Sequence, residues 1–186
     1  FRCPRSTPVA YFLQLELSGR SFLLAHVNYL SDRELEDLAR TPHSVVYCPR
    51  SHRFFRHPEH PLRPMLAAGI NVCLGTDSLA SNSSLSILDE MRFVYRRFPD
   101  LSPSTILEMA TLNAARALGW SDKIGALTPG READLIALPV KFPPVRPPAP
   151  DDPAGPAPPA PSAGPPSGSK FDALVEILSS QVRPSL

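Results

Sequence analysis

Charge of one sign is what these 186 residues most plainly lack. Nineteen lysines and arginines face 18 aspartates and glutamates, for a formal net charge of +1, with no block of like charge. That balance excludes a basic stripe for nucleic acid and a charged membrane-binding face. Long apolar runs are missing as well; none approaches the ~20 residues of a bilayer span. Cysteine is scarce: Cys3, Cys48 and Cys73 are far apart and odd in number, so they build no disulfide framework. Two of them lie in apolar runs, which suits reduced, buried thiols and a reducing, cytoplasmic compartment. The five histidines include no H-x-H pair. There is neither a signal peptide nor an initiating Met, and "FRCPRSTPV" reads as the interior of something longer, so the chain is expected to be a fragment.

Proline, by contrast, is abundant and unevenly placed. Residues 139 to 169 hold 13 of the 24 prolines. Such a segment forms neither a helix nor an inner strand and has little to bury, so it is expected to be a disordered, partly polyproline II linker. After it, "KFDALVEILSSQV" places Phe171, Leu174, Val175 and Leu178 at helical spacing. Before it, strands and helices alternate. "SFLLAHV" is a strand ending in His26. "SDRELEDLARTP" is a helix with Ser31 and Glu34 as a capping box. "SVVYCP" is a second strand, "PLRPMLAAG" a short helix, and "INVCLGTD" a third strand. "SSLSILDEMRFVYRRF" is a helix with Leu85, Leu88, Met91 and Tyr95 on one side. "SPSTILEMATLNAARALGW" is another, with Leu107, Ala110, Ala114 and Leu118 on its apolar face. Near-continuously apolar strands separated by helices predict α/β architecture, a parallel sheet covered on both sides. "GALTPGREADLIALPV" differs: a turn at Thr128, Pro129 and Gly130, then a terminal strand.

In parallel α/β proteins functional groups collect where strands end. The first strand presents His26 and Asn28, the second Ser51 and His52, the third Asp77. A carboxylate and an imidazole at one mouth could share a metal ion or pass a proton. Gly75 lets backbone or ligand approach closely. Each residue also has a plainer role: an Asp after a strand caps helices or forms turns, and a strand-end His is often a hydrogen-bonded filler. Cys48, His52, His57 and His60 are separated by three, four and two residues, which matches no common zinc finger. "FRHPEHP" reads more simply as a solvated loop. Cys73, between Val72 and Leu74, is a poor candidate nucleophile.

Five segments in order, "LLAHVNYLSDRELEDLA", "VVYCPRSH", "MLAAGINVCLGTDSLASNSSLSILDEMR", "ATLNAARALGW" and "IGALTPGREADLIAL", closely resemble the C-terminal half of the metal-dependent amidohydrolase superfamily. The nearest branch is that of aminohydrolases acting on nucleosides, guanine and triazines, with the chlorohydrolase-like enzymes. The resemblance implies a TIM (β/α)8 barrel with a small β-sandwich. Residues 1–125 would be the C-terminal part of the barrel, about strands six to eight. Residues 126–140 would return into the sandwich, 141–169 would be the proline-rich linker, and 170–186 an amphipathic helix and truncated end. Asp77 would be the metal ligand and proton acceptor of the eighth strand, and His26 the catalytic histidine that orients water or polarises the leaving group. Ser51 and His52 would touch substrate. Ser81 and Asn82 match the "SN" after the Asp, with Asn82 counted among the substrate contacts. The implied reaction is hydrolytic deamination of an aminopurine or nucleoside-like ring with a divalent metal, zinc, one per site. A small-molecule substrate and a homodimer follow from the same resemblance.

The pattern also breaks. The family's H-x-H pair and fifth-strand histidine ligand have no counterpart here and would lie upstream of Phe1. A zinc site needs three protein ligands plus water, and three strands of eight leave open edges. The parent is therefore expected to be an enzyme and the segment alone inactive. Two rivals remain: a chlorohydrolase or amide-cleaving member of the same superfamily, and a non-enzymatic protein that binds partners through its proline-rich tail.

Overall fold

A computed structural model describes residues 6–15 and 20–138. The elements run α1 (Pro8–Leu13), β1 (Leu23–Ala25), α2 (Asp32–Ala39), β2 (Ser44–Tyr47), α3 (Pro49–Phe54), α4 (Leu62–Ala67), β3 (Asn71–Leu74), α5 (Ile87–Arg97), α6 (Pro103–Ala110) and α7 (Leu112–Ala117). The three strands form one parallel sheet in the order β1-β2-β3, with Ala25 opposite Val46 and Val46 opposite Cys73. Sequential neighbours joined by helical crossovers leave all three strand C-termini at one end, so every loop that follows a strand opens on the same side.

Side-chain chemistry explains the boundaries. Ser31 Oγ accepts from the Glu34 amide while Glu34 Oε2 takes the Ser31 amide at 2.8 Å, the anticipated capping box. Gly69, with φ of +75°, ends the α4 turn before β3. The core lies where β2 and β3 meet α4, α5 and α6: Val45, Tyr47, Leu62, Met65, Val72, Val94, Phe98, Ile106 and Met109 are all buried. Reciprocal amide bonds dock α7 on β3: Asn113 Nδ2 donates to the Val72 carbonyl and Asn71 Nδ2 to that of Asn113, both at 3.0 Å.

Three sequence expectations need correction. The buried stripe of α5 is Glu90, Met91 and Val94; Leu85 precedes the N-cap Ser86 and is exposed. The stretch expected as one helix after Ser102 is two, broken at Thr111, whose φ and ψ are −129° and −84°. Thr111 Oγ1 donates back to the Leu107 carbonyl at 2.7 Å, a local bond that competes with the helical ladder. The break re-aims the apolar face: Ile106, Met109 and Ala115 are buried, while Leu107 and Leu118 are exposed. Third, Ser51 and His52, expected at the end of the second strand, lie in α3, with Pro49 in its first turn. Thr128 to Gly130 form the expected turn. Residues 132–138 beyond it pair with no strand among the described residues, and Leu135 and Ile136 stand exposed. The proline-rich segment and the helix expected over 170–186 lie outside the described residues.

Candidate functional site

The loops that follow β1 and β3 each carry a residue with left-handed backbone: His26, next after Ala25, has φ of +67° and Asp77, three residues past Leu74, +58°. Non-glycine residues rarely adopt this geometry, which costs on the order of 1–3 kcal/mol and gathers at functional sites. The His26 amide still donates to Val46 of β2 at 2.8 Å, while the Val27 amide folds back to the Ala25 carbonyl at 2.9 Å. A three-residue γ-turn therefore closes around His26, of the strained positive-φ kind. Val27 follows with φ of +47°, unusual for a β-branched residue. The result turns the His26 imidazole toward β3, with Nε2 at 3.9 Å from Asp77 Oδ2. Both side chains remain partly open, 42% and 30% exposed.

Asp77 is held from three directions. Ser51 Oγ donates to its Oδ2 at 2.6 Å, the Ser78 amide to its Oδ1 at 2.8 Å, and Ser81 Oγ to its Oδ2 at 3.4 Å, with the two serine hydroxyls 2.8 Å apart. The Ser51 hydroxyl, then the Ser78 amide and the nearby His26, hold the Asp77 carboxyl below its ordinary pKa against the opposing effect of burial. It is ionised at neutral pH, as a metal ligand or proton acceptor must be. Oδ1, which accepts a single bond, keeps spare lone-pair capacity.

Behind the acid lies a layer that the sequence reading missed. Glu90 of α5 is fully buried. Its Oε1 accepts from Asn82 Nδ2 at 2.6 Å and its Oε2 from the Arg50 amide at 3.0 Å, so a buried carboxylate caps the start of α3. Arg50 also reaches Ser83, Ser84 and Asp89. Asn82 Nδ2 ties this layer to the strand end through the Thr76 carbonyl at 2.7 Å. Ser51 and Asn82, expected as substrate contacts, are thus 1% and 8% exposed and face protein partners. The signal for Glu90 was available: it sits with Ile87, Met91 and Val94 on one apolar stripe, where a carboxylate needs partners.

His52 remains at the mouth, half-buried. Its Nε2 meets the Pro58 carbonyl at 2.7 Å and its Nδ1 the Asn28 amide at 3.0 Å. Both ring nitrogens thus face acceptor oxygens, Asn28 Oδ1 and the Pro58 carbonyl, while burial lowers the ring's pKa. His57 lies further out, against the Tyr29 hydroxyl at 2.8 Å. "FRHPEHP" is not wholly the solvated loop expected: His60 is 3% exposed, stacked on Tyr47 with ring centroids 4.0 Å apart. Its Nε2 donates to the His26 carbonyl at 2.7 Å, and burial pushes its pKa down to about 4. Burial raises Cys48 to about 12 and Cys73 to about 11, which silences both thiols as nucleophiles. Gly75 is tighter than a ligand-approach role requires: an added Cβ would meet Val46 Cγ1 at 2.6 Å and Cys48 Sγ at 3.1 Å.

Among the described residues no three His, Cys, Asp or Glu side chains converge as a metal-holding group. One carboxylate and one imidazole do face each other at the mouth. Comparison with known proteins bears on what completes them. The sequence profile of the amidohydrolase family matches residues 5–161. A 5-methylthioadenosine/S-adenosylhomocysteine deaminase from Moorella thermoacetica is 37% identical over 150 residues, which is 77% of this chain and 35% of that protein. The structure of an adenosine deaminase from Xanthomonas campestris with bound zinc aligns with a TM-score of 0.56 and 33% identity, over 60% of this chain and 27% of that one. An atrazine chlorohydrolase from Arthrobacter aurescens, complexed with zinc, aligns with a TM-score of 0.55 and 29% identity, over 60% and 26%. The chain therefore spans about a third of the length of the curated relatives it matches.

Proposed function

We propose, from the premise that this chain belongs to the amidohydrolase family, that its protein hydrolytically deaminates an aminopurine or nucleoside-like ring. In this reading β1, β2 and β3 are strands six, seven and eight of a (β/α)8 barrel, and the segment after Gly125 returns toward a β-sandwich. The observation that carries the proposal is the single ionised carboxylate of Asp77, fixed by Ser51 and the Ser78 amide, with His26 Nε2 3.9 Å away at the same mouth.

The donor set fits a share of a zinc site. Asp77 would hold the ion through its carboxylate, and oxygen and nitrogen donors suit zinc. The further ligands are assigned to the part of the relatives' length that these residues do not cover. A zinc ion bound there supplies a Lewis acid that lowers the pKa of water toward ~7. This chain's residues do the rest. Asp77 accepts the proton of the attacking water. His26, half-exposed beside it, orients that water or polarises the leaving group. The oxygen adds to an electron-poor ring carbon, and the proton taken by Asp77 passes to the ring amino group, which leaves as ammonia. Ser51 and Ser81 keep Asp77 ionised and aimed, Glu90 and Asn82 brace the loop that carries it, and the open face of His52 is assigned to substrate. Ammonia release from a panel of aminopurine nucleosides by the purified protein tests the reading. Turnover of chlorinated triazines without ammonia would replace it with the chlorohydrolase alternative, which the likeness to the atrazine enzyme keeps in view.

A further inference from the structure

We propose that His60 is a positioning residue: its Nε2–H holds the carbonyl of His26 and so fixes the imidazole of His26 against Asp77. This rests on the deaminase reading for its consequence in turnover, though not for its geometry. His26 and Val27 are consecutive non-glycine residues with positive φ, +67° and +47°. Such a pair springs back to extended backbone unless its surroundings hold it. Two of the restraints are main chain, the His26 amide on Val46 and the Val27 amide on Ala25. The His26 carbonyl is held by a side chain 34 residues away, at 2.7 Å.

His60 is built to be rigid. It is 3% exposed and stacked on Tyr47, the last residue of β2, with 23° between the rings. Its own carbonyl accepts from the Leu62 amide at 2.7 Å across Pro61. The edge of His52 lies against it, with ring centroids 5.5 Å apart. A phenylalanine would fill this stack and would not bury a polar atom without a partner, as His60 Nδ1 is buried here. What histidine adds over phenylalanine is the Nε2–H, and the His26 carbonyl is where that proton goes.

The test uses the whole protein that carries this chain, with zinc loaded. His60→Phe keeps the ring stack and removes the donor; His60→Gln keeps a donor of similar reach and removes the ring. The proposal expects His60→Phe to lower kcat by roughly 10²-fold, with KM and zinc content unchanged. Hydrogen exchange at the Val27 amide should quicken in the same variant, and His60→Gln should restore most of both. Wild-type kcat and Val27 protection in His60→Phe would overturn the proposal, and damage in His60→Gln alone would show ring packing at work instead. If His60→Phe does not fold, the ¹⁵N shifts of His60 in the wild type decide: the Nε2–H tautomer supports the proposal and the Nδ1–H tautomer overturns it. Should the wild type release no ammonia from any aminopurine nucleoside, the deaminase reading falls, while Val27 exchange still decides the role of His60.

Discussion

Gly75 shows how little room the strand end leaves. It stands two residues before Asp77, and a methyl group there would come within 2.6 Å of Val46. Gly75→Ala should therefore push the end of β3 away from β2, costing about 1–3 kcal/mol in denaturant unfolding and reducing activity more than a surface change would. His26→Ala should slow catalysis by about 10²–10⁴-fold with zinc largely retained; loss of the metal would make His26 a ligand instead. At this scale the sequence was partly legible. His26 and Asp77 stood out because polar groups that end apolar strands need a reason. Ser51 and Asn82 were visible as polar residues, but their inward direction was not, because it depends on where α3 and α5 lie. His60 was hidden: two prolines and a glutamate surround it, and only the Tyr47 stack reveals that it is buried.

Elements were legible wherever a local rule and the packing agreed. The capping box of α2, the three apolar strands and Gly69 after α4 all follow from short-range chemistry. The break at Thr111 does not, because the flanking residues favour a continuous helix and only the structure shows Thr111 Oγ1 bonded back to the Leu107 carbonyl. An added Cβ at Gly125 would lie 2.7 Å from Ala115 and 3.1 Å from the Thr111 carbonyl, so the chain after α7 presses against this corner. The consequence is measurable. Ile106→Ala should cost about 2–5 kcal/mol by opening a cavity in the core. Leu107→Ala, one residue on and 41% exposed, should stay within about 0.5 kcal/mol. Equal losses from the two variants would instead place Leu107 on the buried face.

Across the molecule, pH links the histidines to stability. Burial lowers His43, His52 and His60, the last to about 4, whereas an unfolded histidine titrates near 6.5. The unfolded chain thus binds more protons between those values, so the contribution is fully present above about pH 6.5 and is lost as pH falls toward 4. His60 alone should remove roughly 2 kcal/mol between pH 7 and pH 5. Glu90, raised by burial, works in the opposite sense at the acid end of this range. Denaturant unfolding at the two pH values, with His60→Gln as reference, measures the difference. Three strands with Asp77 as their one assigned ligand cannot close a zinc site by themselves, so these 186 residues expressed alone are expected to retain no stoichiometric zinc. The most direct measurement of the central claim is zinc content and ammonia release of the protein carrying this chain beside its Asp77→Asn variant. Stoichiometric zinc and ammonia in the parent, with both lost in a variant that keeps its fold, is the predicted result; a variant that keeps its metal and its rate would contradict the role of Asp77.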